Sequence, residues 1–140
     1  MCNWIRPKTR LAIYMRDGLA CVYCGRGLED GILLTLDHVK PKGKHGMNNA
    51  ASNLVTACKE CNDRKNHKPL SRWIRRVSVD TRQNPKNILA RVVERQTMPM
   101  REYLEDAKYA LLARKCKDIH DVRNQYREFF ARTLKEIGSK

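Results

Sequence analysis

The chain has 140 residues, 41% of them hydrophobic and 31% charged, with a formal net charge of +14. That length suits one compact domain or a small domain with an extension. No apolar run approaches the ~20 residues needed to cross a bilayer, and the N-terminal stretch lacks the apolar core of a secretion signal. A membrane protein is thereby excluded. A cytoplasmic protein is predicted, in which paired cysteines read as metal ligands rather than disulfides.

The positive excess predicts a polyanionic partner, with nucleic acid ahead of a membrane surface. Residues 1–97 carry 19 Lys/Arg against 8 Asp/Glu, and residues 98–140 carry 10 against 7. The front of the chain is the expected contact surface.

In chain order, Thr9 to Arg16 reads as a short helix, capped by Thr9 and stopped by Asp17-Gly18. Arg6, Lys8, Arg10 and Arg16 are expected on its solvated face or against phosphates. Cys21-Val22-Tyr23-Cys24-Gly25 follows as a tight knuckle, in which Gly25 supplies a positive φ. Ile32 to His38 reads as a strand. Lys40 to Asn49 is a polar loop, and Ala51 to Ala57 a second strand. A helix over Glu60 to Asn66 leaves the second cysteine pair. Further helices are predicted over Pro69–Val77, Asn87–Gln96, Arg101–Lys117 and Asp118–Ile137, broken by Asn84-Pro85 and Met98-Pro99-Met100. Their apolar stripes read as packing surface, within the chain or across a dimer.

Cys21 and Cys24 are separated by two residues, and so are Cys58 and Cys61. Two such knuckles supply the four ligands of a tetrahedral structural Zn²⁺. Cys2 and Cys116 have no partner spacing and read as free thiols. The stretch 25–57 is longer than a simple zinc ribbon allows, so a folded unit must sit inside the loop that zinc closes.

That unit contains Asp37-His38, a lone Asn53, and Asn62 directly after the second knuckle. Phosphodiester hydrolysis needs a base to deprotonate water, and a histidine suits that role. It also needs a Lewis acid for the phosphate and the leaving oxygen. Mg²⁺ or Mn²⁺ prefers oxygen ligands, which Asp37 and an asparagine side chain provide. Asp37 and His38 are adjacent in a strand, and adjacent side chains face opposite ways. Both can serve one site only if the strand ends or twists there.

The ordered set Arg16-Asp17-Gly18, Cys21-Val22-Tyr23-Cys24-Gly25, Leu36-Asp37-His38-Val39, Asn53-Leu54-Val55, Cys58, Cys61-Asn62 and Arg64-Lys65 resembles the HNH endonucleases, in an H-N-N variant. The likeness covers residues 6–68. It implies an α+β fold, with a small zinc-bound ββα-metal core, an N-terminal helix and a C-terminal helical extension. The expected division is 1–68 for the nuclease core and 69–140 for the extension. The resemblance implies His38 as general base, Asp37 and Asn62 as ligands of the catalytic metal, and Asn53 as a brace for the loop that holds the base. The family's last histidine is here Asn62, a harder but weaker donor, so Mg²⁺ or Mn²⁺ is expected over softer ions.

Double-stranded DNA is the substrate the resemblance implies, for a monomer or homodimer. Lys40, Lys42, Lys44, His45, Arg64, Lys65, Lys68, Arg72, Arg75 and Arg76 are the expected nucleic-acid contacts. The small size suggests, by analogy, a phage or mobile-element enzyme. Two other readings stay open: a zinc-stapled nucleic-acid-binding protein that does not cut, and a partner protein whose helical tail docks another assembly.

Overall fold

A computed structural model describes residues 5–40 and 48–114. Lys42, Lys44, His45, Cys2, Cys116 and the helix expected over 118–137 lie outside the described residues. The first helix, α1, spans Pro7–Arg16. It starts two residues before the expected Thr9, because Pro7 sits in its first turn, where a fixed φ helps and the missing N–H is not needed. Arg6 holds the cap position without a side-chain bond.

Two antiparallel strands follow, β1 (Leu34–His38) and β2 (Leu54–Cys58), paired from Leu34 opposite Cys58 to His38 opposite Leu54. β1 is shorter than expected at its front. Ala51–Asn53 forms a 3₁₀ turn rather than the start of β2. Helix α2 (Lys59–Lys65) leaves the end of β2 at once, which completes a ββα unit. Cys58 caps α2, its sulfur accepting from the Cys61 N–H. Three more helices follow: α3 (Leu70–Thr81), α4 (Pro85–Thr97) and α5 (Arg101–Arg114). Asn84 caps α4 by accepting from the Lys86 N–H.

Strand alternation sorts the core. Leu34, Leu36 and Leu54 pack with Ile13 and Tyr14 of α1. Val55 and Ala57 face the other way, against Tyr23, Cys58, Cys61 and the inner faces of α3 and α4: Trp73, Ile74, Val77, Ile88 and Val92. The helical extension therefore shares a core with the cysteine knuckles. Helix α5 packs on α1 through Ala107 against Leu11 and Ala12.

Arg16 departs from its expected surface place. It is 2% exposed and bonds Asp17 through both Nε and Nη2, at 2.7 and 3.1 Å. Its guanidinium also donates to the carbonyls of Ala51 and Leu54. Asp17 in turn accepts from the Thr56 N–H at 2.7 Å. This pair pins α1 to β2 instead of meeting phosphate. Among the described residues, no helix is long and apolar enough to cross a membrane.

Candidate metal and catalytic site

The four cysteine sulfurs converge. The Sγ atoms of Cys21, Cys24, Cys58 and Cys61 all lie within 4.8 Å of one another. Cys24 and Cys58 are 3.8 Å apart, which matches the edge of a tetrahedron of ~2.3 Å Zn–S bonds, about 3.8 Å. Gly25 has the positive φ, +83°, that turns the first knuckle. Crowding splits the thiols: Cys21 above all draws Cys58 down to about 6 and holds Cys24 well below its ordinary value. Cys21 and Cys61 are pushed up, the first mainly by Cys24 and the second mainly by Cys21. A central cation would hold all four as thiolates, so the donors could hold a zinc ion. Arg26 adds an outer positive charge, with its guanidinium on Cys24 Sγ at 3.4 Å, Cys58 Sγ at 3.6 Å and Glu60 at 2.8 Å.

Asp37 lies on the α2 side of β1 and is 4% exposed. The Tyr23 hydroxyl donates to its Oδ2 at 2.5 Å. The Lys65 ammonium sits 3.4 Å from Oδ1 and 3.3 Å from Oδ2 and donates to the His38 carbonyl at 3.0 Å. Burial pushes the Asp37 carboxyl above the ordinary carboxylate value, with Lys65 and Tyr23 pulling the other way. Asn62 and Lys65 are three residues apart on α2, hence on one helix face. The Asn62 amide nitrogen donates to Thr35 Oγ1 at 2.9 Å and to the Leu36 carbonyl at 3.1 Å. This turns Oδ1 away from those partners, where it accepts no hydrogen bond among the described residues. A buried carboxylate and an amide oxygen on adjoining elements are the donor types a hard cation takes.

His38 is the last residue of β1, and strand alternation turns its side chain away from that of Asp37. Its Nε2 lies 2.8 Å from Asn49 Oδ1. Asn53 is 3% exposed and grips Lys40 from both sides. Its Oδ1 accepts from the Lys40 N–H at 2.9 Å, and its Nδ2 donates to the carbonyls of Lys40 and Asn48 at 3.2 and 2.9 Å. Its own carbonyl accepts from the Val39 N–H. One side chain thus ties both described ends of the 40–48 loop directly beside His38. The structure brings Asp37 and Asn62 to one face of the sheet and places His38 at its rim, held by a different asparagine.

Residues 21–68, from Cys21 to Lys68, match the model of the HNH endonuclease family. The CRISPR-associated endonuclease Cas9 of Actinomyces naeslundii is 34% identical over 70 residues, which is 50% of this chain and 6% of that protein. The crystal structure of the Type II-C Cas9 enzyme from Actinomyces naeslundii superposes with a TM-score of 0.44 at 24% identity, covering 78% of this chain and 15% of that one. The chain therefore spans a small fraction of the length of these relatives.

Around the HNH segment, the basic residues divide into two groups. Lys40, Arg72 and Arg75 are exposed. Arg76 and Arg64 are exposed and share Asp80, Arg64 at 2.6 Å and Arg76 at 3.6 Å. Lys68 Nζ donates to the Arg64 carbonyl. Lys65, expected at the surface as a phosphate contact, is instead fully buried on Asp37. Its helical phase differs from that of Arg64 by one residue, enough to point it inward.

Three side chains that bond Asp37, Asn62 and His38 were not among the sequence candidates: Tyr23, Thr35 and Asn49. Thr35 was accessible in principle, since it lies two residues before Asp37 and alternation puts both on one face. Tyr23 occupies the spacer of the first knuckle, where its apolar body reads simply as core. Asn49 carries no local signal.

Proposed function

We propose that this chain is a metal-dependent endonuclease that hydrolyses phosphodiester bonds in double-stranded DNA. The reading rests on a buried carboxylate, Asp37, and on an Asn62 side-chain oxygen that accepts no hydrogen bond among the described residues, both on one face of a cysteine-clustered ββα unit with a histidine at the strand end. The match of residues 21–68 to the HNH endonuclease family and the likeness to a Cas9 endonuclease support it.

In this reading Asp37 and Asn62 would hold Mg²⁺ or Mn²⁺, which supplies Lewis-acid stabilisation of the phosphate and the leaving oxygen. His38 takes the proton from the attacking water. Asn49 Oδ1, 2.8 Å from Nε2, helps to orient the ring. Asn53 holds the backbone beside His38 so that the ring stays oriented. Zn²⁺ on the four cysteines is structural. Residues 1–68 form the cutting unit, and residues 69–140 an extension whose α3 and α4 close over the cysteine side. Lys40, Arg72 and Arg75 take phosphates without reading sequence.

A non-cleaving nucleic-acid binder is the second reading, favoured by the lysine that already neutralises Asp37. Supercoiled plasmid with Mg²⁺ or Mn²⁺ separates the two. His38→Ala is expected to lower cleavage by about 10²–10⁴-fold while DNA affinity and the melting curve stay unchanged. Absence of metal-dependent cleavage by the unaltered protein supports the binder.

A further inference from the structure

We propose that the Lys65 ammonium is an internal stand-in for the divalent cation, occupying its place on Asp37, and that ion binding exchanges the lysine off the carboxylate. The inference rests on the reading of Asp37 as a metal ligand.

A lysine is almost never fully buried unless paired, and Lys65 is 0% exposed. Its surroundings are oxygens. The two carboxylate oxygens of Asp37 lie at nearly equal distances, 3.4 and 3.3 Å, and the His38 carbonyl lies at 3.0 Å. A carboxylate met symmetrically together with a main-chain carbonyl is an oxygen shell of the kind a hard cation selects.

The distances also show how Lys65 is held. Charge-assisted N–H···O bonds shorten to about 2.7–2.9 Å, as where the Asp17 carboxylate accepts from Arg16 Nε and from the Thr56 N–H, each at 2.7 Å. All three Lys65 contacts are longer, so the ammonium straddles its acceptors without locking onto one. Tyr23 stays as the fixed partner on Oδ2 and keeps the carboxylate in place while its cation is changed. Asn62, one helical turn before Lys65 on α2, has a side-chain oxygen that accepts no hydrogen bond among the described residues.

A site that must first release its own cation binds the incoming one more weakly, in proportion to the fraction of molecules in which Asp37 is open. Lys65 is therefore a positioning residue that sets ion affinity.

The test uses the zinc-loaded full chain without DNA. Mn²⁺ binding is followed by electron paramagnetic resonance in the unaltered protein, Lys65→Met and Asp37→Asn. Lys65→Met is expected to bind Mn²⁺ at least about tenfold more tightly, and Asp37→Asn to lose this binding. In the unaltered protein, the slowly exchanging ¹⁵N ammonium signal of Lys65 should disappear on saturation with Mg²⁺. Equal or weaker Mn²⁺ binding by Lys65→Met overturns the proposal, as does a Lys65 signal that Mg²⁺ leaves unchanged. If Lys65→Met does not fold, the ammonium signal decides alone. Plasmid cleavage on the same samples keeps the two readings apart. Cleavage with an unmoved Lys65 rejects the exchange and leaves the nuclease. Exchange without cleavage supports the stand-in and rejects the nuclease.

Discussion

The Tyr23 hydroxyl and the Asp37 carboxylate meet at 2.5 Å, which joins the spacer of the first cysteine knuckle to the buried acid of the sheet. Tyr23 is itself fixed on two further sides. Its ring stands edge-on to Trp73, with centroids 5.8 Å apart, and its carbonyl accepts from the Gln83 side chain. The cysteine cluster and the acid are thus one mechanical unit.

Tyr23→Phe removes only the hydroxyl. Hydrogen bonds to charged groups contribute about 1.5–3 kcal/mol, and the loss in urea denaturation should fall in that range. Mn²⁺ affinity should drop as well, because the carboxylate loses the partner that orients it. An unchanged urea midpoint would show that the bond carries no weight.

The same contact sets an alkaline limit. Burial first, and the Asp37 charge second, hold the Tyr23 phenol well above its ordinary value of 10.0. The folded pKa is raised, so its contribution to stability is complete below pH 10 and is lost as pH rises through the folded value. Ultraviolet titration should find Tyr23 missing from the native tyrosinate signal above pH 10, appearing only as the protein unfolds. Smooth ionisation of every tyrosine near pH 10 in the folded protein would contradict this.

Removing zinc should do more than empty a site. Cys58 is at once a candidate ligand, the last residue of β2 and the cap of α2. Structural zinc free energy is largely folding free energy. Chelation, or Cys58→Ser, is expected to abolish the cooperative thermal transition and the near-ultraviolet signal of Trp73. The intact protein should release one zinc per chain into a colorimetric chelator.

Arg16 and Asp17 separate two readings of a basic helix. Breaking a buried ion pair from one side costs about 3–5 kcal/mol. Asp17→Asn should destabilise by that order, since it leaves the Arg16 guanidinium uncompensated in the interior. Arg6 and Lys8, exposed on the same helix, should tolerate alanine with stability changed by less than about 0.5 kcal/mol. Equal effects at Asp17 and Lys8 in thermal melts would overturn this account.

Asn53 should couple loop order to cleavage. Asn53→Ala removes the hydrogen bonds to the Lys40 N–H and to the Lys40 and Asn48 carbonyls, each worth about 0.5–1.5 kcal/mol net. Stability should fall within that scale. Cleavage should fall further than stability explains, with DNA affinity retained, as measured by single-turnover kinetics and a binding titration run side by side.

The sequence was most informative where partners are close in the chain. A cysteine pair with a two-residue spacer and a following glycine encodes its own turn, so the four candidate metal donors were legible without any fold. The strands, α2 and the breaks at Asn84-Pro85 and Met98-Pro99 were legible for the same reason, with ends shifted by a few residues. The adjacency of Asp37 and His38 was also plain. Which way each points, and what holds it, was not.

Tertiary structure decided the destinations of charged and aromatic side chains whose partners are distant in sequence. Arg16 meets the Leu54 carbonyl 38 residues away, and Lys65 meets Asp37 across 28. Arg64 and Lys65 are neighbours with the same charge, yet one lies at the surface and the other in the core. Helix α2 has seven residues, too few for a hydrophobic period to mark its inner face. Only the packing of that helix on β1 determines which cation turns toward the buried acid. A residue's type states its charge, and the fold alone supplies the counter-charge.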